Sequence, residues 1–184
     1  MDASYSRMCC LAVGLIGLMA LSACVTARAS EKDDAKMEAE AAEALTRAKT
    51  GNPTLANVLN AAAGYAVFPK VAKGGMGIGA AHGKGVLYVG GNVVGYCSLS
   101  QTTVGLQLGG KSYTEIIAFE NAAAVDGFKA GNFHLDAQAT AVAVKAGTAV
   151  DAKYTNGVAV YTLDQGGLMF EASVGGQKFS YRAK

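Results

Sequence analysis

The chain has 184 residues, 51% of them hydrophobic and only 16% charged, against a usual charged share of about 25%. That excludes a disordered chain and leaves room for one ordinary domain with a small appendage. The formal net charge of +2 is too small for a nucleic-acid partner, and 24 glycines beside 2 prolines suit short strands joined by tight turns.

Residues 1–23 read as a secretory signal. Arg7 supplies the positive n-region, Leu11–Leu21 the apolar h-region, and Ser22 and Ala23 the small residues before a cleavage point. The string Leu21-Ser22-Ala23-Cys24 resembles the bacterial lipobox. That resemblance implies a diacylglycerol on the Cys24 thiol. Val25 rather than an acid follows, which in that pattern implies sorting to the outer membrane with the body facing the periplasm. A plain secreted protein cut elsewhere remains an alternative. So does a spanning helix, because Met8 to Ala27 carries no charge. Cys9 and Cys10 leave with the signal and Cys24 takes lipid. Cys97 then has no intrachain partner and is expected to be a small buried hydrophobe.

Residues 24–63 form a helical front. Ser30 can cap a first helix, with Glu31, Asp33 and Asp34 in its opening turn. Met37, Ala41, Ala44, Leu45 and Ala48 make its apolar stripe, and Gly51 is its stop. A second helix is expected after Pro53 with Thr54 as its cap. Leu55, Val58, Leu59 and Ala62 repeat at helical spacing, and Gly64 ends it.

From Tyr65 the hydrophobic period changes to two. Strand-like runs cover 65–69, 74–82, 85–89, 92–100, 102–108 and 112–119, then 133–144, 149–155, 158–163, 168–174 and 177–181. Gly90-Gly91, Gly109-Gly110, Asn156-Gly157 and Gly175-Gly176 separate such runs and supply the positive φ of tight hairpins. Asn121 can cap one short helix, Ala122–Lys129. The expected fold is α+β: N-terminal helices, then a Gly-rich antiparallel barrel or sandwich over 64–184 with one short inserted helix.

Catalytic motifs fail on context. Gly75-Met76-Gly77-Ile78-Gly79-Ala80 fits the dinucleotide fingerprint, but another strand follows where a helix is required. His82 and His134 are the only imidazoles, and neither has a ligand at metal spacing. No nucleophile elbow is present. The reading is a non-enzyme without cofactor or metal. What remains is a charge bias: from Pro69 to Thr114 there is no Asp or Glu, while Lys70, Lys73, Lys84 and Lys111 all fall there. Solubilising surface lysines are one reading. The other is a site where Lys73, helped by Lys70 and Lys84, meets anionic phospholipid headgroups beside the anchoring membrane.

Phe68-Pro69, Val71, Lys73, Gly75, Gly79, Gly83 and Gly85 together resemble the opening of the SYLF domain. The likeness continues through Tyr96-Cys97-Ser98-Leu99, Gly105-Leu106-Gln107 with Gly109 and Tyr113, and Phe133 with Leu135 and Ala137. It ends with Tyr161, Gly166-Gly167-Leu168 and Ser173, and it spans about residues 40–182. The resemblance implies a lipid-binding module without catalytic residues, secreted or lipid-anchored in bacteria. Lys73 is carried over from that pattern, whereas Lys70 and Lys84 come from charge clustering. Met76 and Ala81 stand where the family often has an aromatic and a basic residue. A structural or partner-binding envelope lipoprotein is the alternative.

Overall fold

The computed structural model describes residues 30–76, 78–104, 109–131, 133, 135, 142–143, 154–164 and 176–184. The chain divides into two compact units, Met1–Lys36 and Met37–Lys184. Of the first, the described part is the opening of a helix, α1, that runs over 30–51. Cys24 and the signal residues lie outside the described residues, as do His134, most of the runs 133–144 and 149–155, and the run 168–174.

Within the second unit, α1 buries Ala41, Ala44 and Ala48, a stripe at spacings of three and four. Helix α2, Pro53–Ala61, buries Leu55 and Leu59. The cap of α2 is Asn52, not the expected Thr54. The Asn52 side chain accepts from the Leu55 amide at 3.0 Å and from the Thr54 hydroxyl at 2.6 Å. Pro53 explains the shift, because a proline at the first helical position moves the cap to the residue before it. The helix stops at Ala61, ahead of Gly64, since Ala62 is already extended.

Seven strands form the described sheet. They are β1 Gly64–Met76, β2 Ile78–Val89, β3 Asn92–Val104, β4 Gly109–Phe119, β5 Val142–Ala143, β6 Val158–Asp164 and β7 Lys178–Ala183. Helix α3, Ala122–Lys129, follows β4, with the Asn121 side chain accepting from the Ala124 amide at 3.0 Å. The order is β5-β6-β4-β1-β2-β3-β7. Every pairing is antiparallel except β5 with β6. Among the described residues β5 and β7 stand at opposite ends of the order and the sheet does not close into a barrel. The layered alternative holds: each face carries its own core.

The strands are fewer and longer than the hydrophobic runs suggest. Runs 92–100 and 102–108 join into β3 as far as Val104, and the run 74–82 is divided between β1 and β2, whose ends Met76 and Ile78 pair. Gly109 and Gly110 make no turn. They lie in β4 opposite Gly75 and Gly74. Gly83 and Gly85 likewise sit inside β2. A Cβ on Gly85 would lie 2.5 Å from the Val67 carbonyl oxygen and 2.7 Å from the Phe68 ring. This glycine therefore admits the bulge that shifts the register between Val67 and Lys70. Gly90-Gly91 and Asn156-Gly157 are turns as read, all four with positive φ.

One face packs Tyr65, Val67, Val86, Tyr88, Tyr96 and Ile116 against α1 and α2. The other packs Phe68, Val71, Leu99, Tyr113 and Phe179 with α3. Cys97 is buried in this second core, and burial pushes its thiol far up.

Candidate functional site

Alternation along the strands decides where the lysines go. Lys70 and Lys84 are direct cross-strand partners on β1 and β2. Lys84 is two residues from Val86, so this pair shares the face of α1 and α2. Both are exposed. Ser98 and Ser180 continue the row across β3 and β7, their hydroxyls 2.7 Å apart. The next row on the same face is Ala72, His82, Ser100 and Lys178. His82, Ser100 and Lys178 are exposed.

Lys73 is on the other face. It lies two residues beyond buried Val71 and directly opposite Lys111 of β4. Lys73 is half-buried and Lys111 exposed. The structure thus brings Lys70 and Lys84 together and separates them from Lys73, which is joined by Lys111. Lys178 was not singled out by the charge bias, because it is distant in sequence and reaches this level only through the pairing of β7 with β3.

A second feature escaped the sequence. Glu115 of β4 is fully buried and accepts from the Gln177 amide nitrogen at 3.0 Å. Among the described residues its other oxygen, Oε1, has no hydrogen-bond partner. Burial pushes the carboxyl up to about 7, opposed by hydrogen bonds from Gln177 and Tyr113 and by the charge of Lys73. Burial also pushes the Tyr113 hydroxyl up. The available signal is one carboxylate beside the apolar run Ile116–Phe119. No group of three or more His, Cys, Asp or Glu among the described residues could hold a metal. No described helix is long and apolar enough to cross a membrane.

The far end of β7 is tied to α1. Glu38 Oε1 accepts from the Tyr96 hydroxyl at 2.5 Å and pairs with Lys184 Nζ at 2.8 Å. Lys184 first, then Tyr96, holds the Glu38 carboxyl below its ordinary value. The Arg182 guanidinium lies over the Tyr96 ring at 4.6 Å.

The family model described as Ysc84, Las17-binding protein actin regulator, matches residues 100–184. Over that segment the SYLF resemblance is borne out. Beta cell expansion factor A of Aeromonas veronii is 33% identical over 72 residues, which is 39% of this chain and 28% of that protein. The chain therefore matches less than a third of that relative's length. Lys111, Glu115, Gln177 and Lys178 fall inside the SYLF match, whereas Lys70, Lys73 and Lys84 precede it.

Proposed function

We propose that this protein is a non-catalytic, lipid-anchored module of the bacterial envelope that binds anionic phospholipid headgroups. One observation carries the reading. Two pairs of lysines, Lys70 with Lys84 and Lys73 with Lys111, stand directly opposite each other on neighbouring strands. Like charges in that position oppose folding by a fraction of a kcal/mol per pair. A bound anion turns the same arrangement into an attraction. Lys178 adds a fifth charge at the same level of the sheet. The SYLF match supports lipid as the source of that anion, and the lipobox-like string at Cys24 supports a membrane close by. Outer-membrane anchoring and a periplasm-facing body belong to the same proposal.

The test is co-sedimentation of the full chain carrying Cys24→Ser with vesicles of phosphatidylglycerol or of phosphatidylcholine. The apolar leader is common to all samples, so the neutral vesicles give its share. Each lysine near an anionic surface is worth about 1 kcal/mol. Replacing Lys70, Lys73 and Lys84 by glutamine is expected to weaken phosphatidylglycerol binding roughly a hundredfold. High salt is expected to reduce the difference between parent and variant. Equal binding by parent and variant would refute the reading and favour a protein partner.

A further inference from the structure

Strand β7 sets Lys178, Ser180 and Arg182 on one face, because Phe179 and Tyr181 between them pack into the opposite core. Ser180 pairs with Ser98 of β3, and their hydroxyls lie 2.7 Å apart. Ser98 pairs in turn with Lys84 of β2. This is the face of α1 and α2, since Tyr96, two residues from Ser98, packs there. Neighbouring strands lie about 4.8 Å apart, and alternate residues about 6.7 Å apart along a strand. Lys84 is thus one strand from the serine pair, and Lys178 and Arg182 are each one step from it along β7. Three cations on flexible stems surround two small side chains.

Strands β1, β2, β3 and β7 contain no Asp or Glu. Glu38, which approaches this face from α1, accepts from the Tyr96 hydroxyl and pairs with Lys184. The Arg182 guanidinium is seated over the Tyr96 ring, which fixes where that charge stands. Two hydroxyls that share one hydrogen bond use one of their two protons, so the serine pair keeps one to donate. Ser180, Lys84, Lys178 and Arg182 are all exposed, and Ser98 is half-buried. Donors and positive charge therefore converge on one accessible point. A phosphate monoester brings nearly a double negative charge and three acceptor oxygens to such a point. A phosphate diester brings a single charge and fewer free oxygens, and it matches the three cations less well.

We infer that the Ser98–Ser180 pair is the seat of a phosphate monoester, its oxygens held by a serine hydroxyl, Lys84 and Lys178, with Arg182 at the rim. The inference shares Lys84 with the headgroup-binding reading and rests on that reading for a lipid as the source of the phosphate. It adds that the choice of headgroup is made on this face, while Lys73 and Lys111 on the other face supply a general attraction.

The test uses the full chain carrying Cys24→Ser and vesicles of phosphatidylcholine containing phosphatidic acid or phosphatidylglycerol, mixed to equal surface charge. The parent is expected to bind phosphatidic acid about tenfold more tightly than phosphatidylglycerol. Lys178→Gln and, separately, Ser98→Ala with Ser180→Ala are expected to remove most of that preference. The serine variant deletes both partners of one hydrogen bond and so leaves neither unpaired. Lys73→Gln with Lys111→Gln is expected to weaken binding to both lipids alike and to keep the preference. Glycerol phosphate, titrated by calorimetry without vesicles, separates a free ester from a lipid. Binding that the parent shows and Lys178→Gln loses, with no preference among vesicles, would keep the seat and assign it a free ester. A parent with neither the lipid preference nor glycerol phosphate binding, or a serine variant that keeps the preference, would overturn the seat and leave headgroup binding standing. A parent that does not distinguish phosphatidylglycerol from phosphatidylcholine would overturn the headgroup reading, and the glycerol phosphate titration then decides the seat by itself.

Discussion

Glu115 places an ionisable group where ionisation is costly. It is buried beside Phe68 and Ile117, and its neutral form is favoured up to about pH 7. Unfolding exposes the carboxyl and restores an ordinary acidic value. Between those two values the folded state holds the proton and the unfolded state does not. The resulting stability is fully present below the unfolded value and is lost as pH rises through about 7. The groups facing it are Tyr113, Gln177 and, electrostatically, Lys73. Glu115→Gln keeps the shape and removes the titration. The variant is expected to lose the fall in melting temperature between pH 5 and 8 that the parent shows, and to be more stable than the parent at pH 8 by roughly 1–3 kcal/mol. Thermal unfolding at both pH values checks this, and parallel curves for the two proteins would contradict it.

At the scale of elements, Gly85 gives the sharpest prediction. A methyl group there meets the Val67 carbonyl and the Phe68 ring inside a bulge. Gly85→Ala is expected to destabilise by about 2–3 kcal/mol, whereas Gly51→Ala at the end of α1, with open space around its Cβ, is expected to change little. Urea unfolding of the two variants measures the contrast. These glycines also show what a sequence can and cannot reveal. Gly90-Gly91 and Asn156-Gly157 were legible because positive φ is a local demand and those dipeptides answer it. The Asn121 cap was legible for the same reason. Gly109-Gly110 was read as a separator and Gly83 fell between two runs, yet both places lie inside strands, and the demand for glycine at Gly85 is set by the strand packed beside it. The same limit hid the site. Charge bias found Lys70, Lys73 and Lys84, and alternation alone sets Lys70 and Lys73 on opposite faces, but the meeting of Lys70 with Lys84 depends on the register of β1 against β2, and Lys178 enters only through the pairing of β3 with β7. Burial of Glu115 depends on Gln177, 62 residues away along the chain.

For the whole molecule, the proposed anchor and the proposed headgroup contacts would act together. A diacylglycerol on Cys24 would make membrane attachment stable without any contribution from the lysines. Its work would then be to raise the local concentration of the lysines at the surface rather than to select the lipid. Cys24→Ser is expected to abolish incorporation of labelled fatty acid while leaving preference for phosphatidylglycerol intact. Retained labelling would refute the anchor, and a lost preference would show that the anchor itself recognises lipid.

The clamp on Glu38 carries one further consequence. Lys184 Nζ lies 2.8 Å from Glu38 Oε1, so the two ends of the Met37–Lys184 unit lie within a few side-chain lengths of each other. Backbone ends this close can be covalently rejoined. The tight turn at Gly90-Gly91, exposed and with room around both Cβ positions, offers a place to open the chain instead. A circular permutant linked from 184 to 37 by a few glycines and serines, and opened between Gly90 and Gly91, is expected to keep the β2–β3 ladder and fold. It would also place both new ends at the opposite end of β2 and β3 from Lys84, leaving the lysines free of tags.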